Sequence, residues 1–455
     1  MRLEKTLRHP LKYPALILVI VLSVGLGVAV FLTEEARETD EAPSPFVGTA
    51  GSTFVLNGHP YRFAGLNFWH GAYLAADVIP GGRARLLREL DLLKRHGVSN
   101  LRITAATQRS DISRAVRPAF QDGPSRYSET LLRGLDFLLN EMADRQMKAV
   151  LVMGNYWEWS GGMAQYVAWA NGVPVFDPAK NNDATAFMAF ASEFYRNKKA
   201  WELYFNYLEH VIDRINTVTG VAYNEDPTIM AWQLANEPRP HPAADKTPSH
   251  LEDFYAWIDA AAKRIHALAP KQLVSVGSEG AMGCLGKAEI YQKAHVLESV
   301  DYMTVHIWPK NWGWYVPEDE TKTVENAVTR AAAYYEEHIR MADALQKPVV
   351  LEEFGLGRDG ENPSLKAKTT ARDTYLTALL EAVAKSAAEG RAAAGTNIWA
   401  WGGEGRAARE DAVWVEGSDF TGDPPQEPQG LNSIFDKDTS TLSIIRAHAA
   451  ALLEI

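Results

Sequence analysis

Eight short runs of aliphatic, β-branched and aromatic residues, separated by segments of helical period, restrict this chain more than any other feature. The runs are Tyr61–Trp69, Asn100–Ala105, Ala149–Tyr156, Ile229–Ala235, Gln272–Gly277, Tyr302–Ile307, Pro348–Glu353 and Thr396–Trp401. Helical patterns lie between them, among them Ala84–His96, Glu129–Arg145, Ala200–Thr217, Leu251–Ala267, Val324–Ala344 and Ala371–Glu389. Consecutive strands can run parallel only if a long crossover returns the chain, so this alternation predicts repeated βα units. Eight of them fit an α/β fold of the closed (β/α)8 TIM-barrel kind. An open doubly wound sheet is the alternative, but it expects a Gly-rich phosphate turn after the first strand, and Gly65-Leu66-Asn67 is no such fingerprint. Thr53–Tyr61, with Asn57-Gly58 in its middle, reads as a hairpin capping the barrel bottom.

With 455 residues, 46% of them hydrophobic, the chain can bury one elaborated barrel of more than about 250 residues. The sequence divides into an N-terminal segment at 1–32, a linker at 33–45 and the barrel domain at 46–455. Ala15 to Leu32 carries no charge and follows Arg2, Lys5, Arg8 and Lys12, so the basic flank is expected to stay cytoplasmic and the rest to be exported. The stretch reads as an uncleaved signal anchor or as a signal peptide cut near Gly27-Val28-Ala29. The barrel would then be membrane-anchored outside the cytoplasm, or secreted or periplasmic. Acidic residues and Ala-Pro-Ser-Pro make Glu34–Pro45 an extended tether.

Net charge and cysteine content remove several function classes. A formal charge of −11 argues against nucleic acid, which demands clustered Lys and Arg. The single Cys284 excludes an intrachain disulfide and a thiolate zinc cluster. Asn67-Phe68-Trp69 offers no His-x-His on the first strand, so no metal and no cofactor is expected. Thirteen tryptophans suit stacking on sugar rings as well as core packing.

In a barrel, the C-terminal ends of the strands converge on the site. The polar and aromatic residues there are Trp69, Arg102, Asn155, Trp157, Asn236, Glu237, Glu279, His306, Trp308, Glu353, Trp399 and Trp401. Glu237 ends the fourth run and Glu353 the seventh. Two carboxylates across one cleft are what retaining glycoside hydrolysis needs: one forms a glycosyl ester while the other donates and later accepts a proton. Strand alternation points neighbouring Glu352 the other way, into a structural pairing.

These residues sit within motifs that resemble glycoside hydrolase family 5 of clan A, and within it the β-mannanases. The marks run from Gly65-Leu66-Asn67-Phe68-Trp69 and Asn100-Leu101-Arg102-Ile103 through Gly154-Asn155-Tyr156-Trp157, Gly161-Gly162 and Gln165-Tyr166. They continue through Asp226–Trp232, Asn236-Glu237-Pro238-Arg239, Gly277-Ser278-Glu279-Gly280 and Lys347-Pro348-Val349 to Glu353-Phe354-Gly355. The resemblance implies a retaining β-1,4-mannan hydrolase, with Glu237 as acid/base and Glu353 as nucleophile. It implies that Asn236 bonds the sugar 2-hydroxyl and that Arg102 keeps Glu353 ionised. His306 stands close to the pair, and Trp399 forms the sugar platform, with Trp401 as the second choice. Trp308 stands where such enzymes usually carry tyrosine, and an indole cannot copy the contact a phenol makes with the nucleophile. Trp69, Asn155 and Trp157 complete the expected substrate-binding set.

The expected partner is a β-mannan-type polysaccharide or oligosaccharide, acted on by a monomeric catalytic domain. Internal cleavage is the leading expectation. Pro309–Thr323 and Glu404–Pro428 are long enough to wall off one end, which leaves an exo-acting β-mannosidase or mannobiohydrolase open. A cellulase of the same family is a further alternative. A non-catalytic, membrane-tethered carbohydrate-binding protein would have no need of both carboxylates.

Overall fold

A computed structural model describes residues 44–240 and 251–455. The N-terminal segment at 1–32 and nearly all of the expected linker lie outside the described residues. Among the described residues, no helix is long and apolar enough to cross a membrane.

Eight parallel strands form the central sheet: β1 Phe63–Asn67, β2 Asn100–Thr104, β3 Lys148–Val152, β4 Ile229–Gln233, β5 Leu273–Ser275, β6 Met303–Ile307, β7 Val349–Phe354 and β8 Ala393–Ile398. Their order is β5-β4-β3-β2-β1-β8-β7-β6. A bridge between Ser275 and Tyr302 joins the two ends, so the sheet curls into a barrel closed by its thinnest seam. Almost every strand residue is buried, because parallel strands are covered on both faces. Each strand is followed by a helix: α1 Gly82–Arg95, α2 Glu129–Asp144, α3 Lys198–Ile212, α4 Leu251–Leu268, α5 Ala288–His295, α6 Glu320–Leu345, α7 Thr370–Ala388 and α8 Thr439–Leu453. The alternation read from the sequence is therefore a (β/α)8 barrel.

Boundaries follow local chemistry. Ser128 caps α2 by accepting from the Leu131 amide, and Asn197 caps α3 by accepting from the Ala200 amide. α3 stops before the expected Thr217 because Asn216 folds the chain back, its side-chain Oδ1 accepting from the Val218 and Thr219 amides at 2.8 and 3.2 Å.

The expected hairpin is present as strands Thr53–Leu56 and His59–Tyr61, with Gly48–Ala50 added on its edge. Phe54 from this sheet packs with Phe63, Val150, Met230, Leu273, Tyr302, Val350 and Ala394. These residues fill the barrel bottom, so the hairpin is its plug.

The opposite end is elaborated. The β3–α3 connection carries short helices at Gly162–Asn171, Pro178–Asn181 and Ala184–Ser192. The β8–α8 connection is pinned to α1 by a buried ionic knot. Arg85 donates to Glu89 at 2.7 Å and to the carbonyls of Gly402 and Phe420, while the Trp401 indole donates to Glu89 at 2.9 Å. Trp401 is thus a core residue of this knot rather than a sugar platform.

Candidate active site

The β4 chain leaves the barrel at Asn236 and Glu237, and Glu237 adopts a left-handed backbone (φ +48°). Its amide still donates to the Gly277 carbonyl at 2.9 Å. A side chain at 277 would lie 2.0 Å from the Ala235 carbonyl oxygen, so only glycine lets the two strand ends close up.

A register shift between β6 and β7 places His306 beside Glu353 and leaves Glu352 without a partner. At this bulge the expected alternation fails. Glu352 and Glu353 both reach the barrel interior, one beneath the other, with His306 touching each. Glu352 is structurally paired as expected, but it does not point away from the site.

Arg102 organises the floor. It donates to Glu353, to Gln233 Oε1 at 2.8 Å, to Asn67 Oδ1 at 3.0 Å and to Asn236 Oδ1 at 2.7 Å. His306 Nδ1 lies 2.8 Å from Glu237 Oε1 and 3.5 Å from Glu353 Oε2, and its Nε2 lies 3.2 Å from Glu352 Oε2. The Trp157 indole donates to Glu237 Oε2 at 2.6 Å. Glu237, His306 and Glu353 each present an atom within 4.8 Å of the others. That cluster is a poor cation site, since Trp157, His306 and Arg102 already donate into both carboxylates and a ligand histidine must give up its proton.

The electrostatics explain why so many charges stay buried together. Burial disfavours a charged Glu237, but the hydrogen bond and charge of His306, with Arg239 and Trp157, outweigh it and pull the carboxyl down to about 2. Burial opposes charge on His306 as well, yet Glu353, Glu237 and Glu352 lift it to about 10. For Glu353, burial raises the pKa, and repulsion from Glu237 and Glu352 adds to this against His306 and Arg102. Arg102 thus meets Glu353 as expected but does not by itself hold it low. Glu352 is lowered: Arg102, His306 and Gln233 prevail over burial.

These groups open into a cleft of about 440 Å³. Trp157, Asn236, Glu237, Trp308, Glu353 and Trp399 line it, as the sequence places them. Trp308 meets Trp399 edge to face at 5.9 Å. Two expected contacts stand elsewhere. Trp69 is buried behind the wall, its indole donating to the Gly422 carbonyl at 3.0 Å and its ring against Trp159 and Phe420. Asn155 lies beneath the floor, where its Oδ1 accepts from Asn236 Nδ2 at 3.2 Å and from the Trp157 amide at 3.1 Å. It positions two cleft residues without lining the cleft.

Loop residues complete the lining: Arg239, Glu279, Asn311, Trp312, Gln426 and Glu427. Arg239 pairs with Glu279 and lies 4.7 Å over the Trp157 ring. Burial and repulsion from Glu237 lift Glu279 to about 7. Glu427 reaches the cleft from the β8–α8 connection, which its sequence marked only by length.

A family model described as GH family 5 beta-mannosidase-like matches residues 44–455. The chain belongs to glycoside hydrolase family 5. It is 30% identical to a putative mannan endo-1,4-beta-mannosidase of Arabidopsis thaliana, over 93% of this chain and 95% of that one. Among solved structures, a family 5 mannosidase from Rhizomucor miehei is 34% identical, covers 90% of this chain and 98% of its own, and superposes with a TM-score of 0.82. An endo-1,4-beta-mannanase from the same fungus shares the fold, with a TM-score of 0.66 at 22% identity. This family 5 enzyme is accordingly a glycoside hydrolase.

Proposed function

We propose that the enzyme hydrolyses β-1,4-mannosides with retention of configuration, Glu353 acting as nucleophile and Glu237 as acid/base. The observation that carries this reading is the approach of a Glu237 oxygen to within 4.8 Å of a Glu353 oxygen. Retaining pairs stand about 5–5.5 Å apart, whereas inverting pairs need about 6.5–9.5 Å to admit a water.

In the first step a Glu353 oxygen bonds to the anomeric carbon as the bond to the leaving oxygen breaks, and Glu237 gives that oxygen a proton. In the second step Glu237 takes a proton from water, whose oxygen displaces Glu353 and frees the sugar with its original configuration. Asn236, held by Arg102 and Asn155, is the donor for the sugar 2-hydroxyl, and Trp399 is the platform beneath the ring.

For the mode of attack we favour chain ends and short oligosaccharides. Gln426 and Glu427 from one loop and Asn311 and Trp312 from another enclose the cleft, and the 34% identical solved relative is named a mannosidase. Internal cleavage is the second reading, favoured by the mannan endo-1,4-beta-mannosidase of Solanum lycopersicum matched at 30% identity over 79% of this chain. Incubation with mannohexaose, galactomannan and carboxymethylcellulose separates them. Mannose or mannobiose alone means terminal attack, mixed oligomannosides mean internal attack, and activity on cellulose alone overturns the substrate. We also read Ala15–Leu32 as an export signal or anchor; recovery of the enzyme in the cytoplasmic fraction would overturn that.

A further inference from the structure

Glu352 has no place in the double displacement, yet the fold breaks its ladder to bring it inward. The register shift between β6 and β7 costs a regular pairing and buries a second carboxylate directly beneath the nucleophile. Arg102 forms a buried ion pair with Glu352 and helps to lower its carboxyl pKa, but its hydrogen bonds go elsewhere. Arg102 already donates to Glu353, and its Nε points at Gln233 Oε1 at 2.8 Å, leaving Glu352 at 3.4 Å. The donors aimed at Glu352 are Gln233 Nε2, at 2.8 Å from both oxygens, and His306 Nε2 at 3.2 Å.

His306 therefore has a carboxylate at each nitrogen, with Glu352 on Nε2 and Glu237 on Nδ1. An imidazole with an acceptor on both sides is held as the imidazolium, since only that form donates from both nitrogens. The groups facing this ring and its anions are Glu237 and Arg239 after β4, Glu352 and Glu353 from β7, Arg102 from β2, Glu279 after β5 and Glu427 from the β8–α8 connection, whose carboxyl burial lifts to about 8. Tyr291 and Tyr302 stand close to Glu352, and burial keeps both phenols neutral.

We propose that His306 stores the proton that Glu237 donates, and that Glu352 is the positioning residue that keeps it stored. The inference rests on Glu237 being the acid/base. At rest Glu237 is a carboxylate, with Oε2 held by Trp157 and Oε1 accepting from His306 Nδ1. When substrate fills the cleft, the Nδ1–H bond breaks and an Oε1–H bond forms. His306 becomes neutral while its Nε2–H stays on Glu352, and Glu237 becomes the acid. Protonation of the leaving oxygen returns Glu237 to carboxylate. Water cleavage in the second step gives Glu237 a proton again, and its return to Nδ1 restores the imidazolium. The alkaline limit of activity is then the loss of the stored proton, and Glu352 sets it.

The test compares wild type with Glu352→Gln and Glu352→Asp, using mannobiose and an aryl β-mannoside with a good leaving group. Neutralising an adjacent opposite charge moves a pKa by roughly 1–3 units. For mannobiose, Glu352→Gln is expected to move the alkaline limb of kcat/KM down by at least about one pH unit, and Glu352→Asp to restore part of it. The activated mannoside scarcely needs the acid, so its alkaline limb should move much less. Nitrogen-15 NMR of His306, assigned with His306→Gln, provides a readout independent of turnover. The pH at which the ring loses its second proton should lie roughly 1–3 units lower in Glu352→Gln than in wild type. A uniform fall in rate with unmoved limbs, or an unchanged ring, overturns the proposal. Equal effects on both substrates together with that shift of the ring would instead show that Glu237 is not the acid.

Discussion

Replacing Arg102 by methionine removes one cation from beneath two carboxylates while keeping much of the side chain's bulk. The guanidinium serves Glu353, Gln233, Asn67 and Asn236 together, a set that lysine cannot reproduce with a single point charge. Stranding a buried charge partner costs roughly 3–5 kcal/mol of stability, and a domain usually has about 5–15 kcal/mol to lose. The variant should fold with a markedly lower denaturation midpoint. For catalysis the sign is fixed by charge. Removing a cation beside Glu353 raises its pKa, by roughly 1–3 units for a close contact, so the nucleophile is protonated at pH values where it now works. The acid limb of kcat/KM should move upward by that amount, with activity falling about tenfold per unit on that side. The assay is a pH series on an aryl β-mannoside, which isolates the nucleophile from the acid. An acid limb that stays in place while stability drops would show that Arg102 only braces the floor, and would refute its electrostatic role.

Glu237→Ala should slow mannobiose by about 10²–10⁴-fold while leaving formation of the glycosyl-enzyme from an activated aryl mannoside far less affected; equal slowing in steady-state and burst kinetics would contradict its assignment. Trp69→Phe removes the indole bond to the Gly422 carbonyl and should cost about 0.5–1.5 kcal/mol with KM unchanged, whereas Trp399→Ala, which truncates a buried ring, should lower Tm and impair kcat/KM as well. Stability should also fall from neutral to alkaline pH. His306, lifted from 6.5 to about 10 in the fold, contributes stability that is fully present below 6.5 and lost as pH rises through about 10. Glu237, lowered from 4.5 to about 2, acts in the opposite sense, its contribution present above 4.5 and lost toward about 2. Unfolding followed across pH should be flatter at the alkaline end in His306→Gln.

The barrel was legible because its strands are apolar throughout and its helices are not, a difference that survives every detail of packing. The two acids were legible as well, since each ends such a strand. Glu352 was misread because alternation assumes an unbroken ladder, and the β6–β7 bulge depends on a partner strand some 50 positions away. Trp69 followed a true strand but turned behind the wall, because Trp159 and Phe420 from two distant loops enclose it. Glu427 sits on a long connection without period, whose path is fixed by side-chain bonds to the backbone such as those of Gln429 to the Asp423, Pro424 and Glu427 carbonyls. Arg239 stood in plain view after Glu237-Pro238, but its use depends on Glu279 from the next strand.

Trapping the covalent intermediate tests the central assignment most directly. The enzyme is incubated with a 2-deoxy-2-fluoro-β-mannosyl fluoride, digested, and its labelled peptide sequenced by mass spectrometry. Attachment of one fluoromannosyl group to Glu353, with loss of activity in step with labelling, is the expected result. Turnover with no adduct, or an adduct on Glu237 or Glu352, would contradict it.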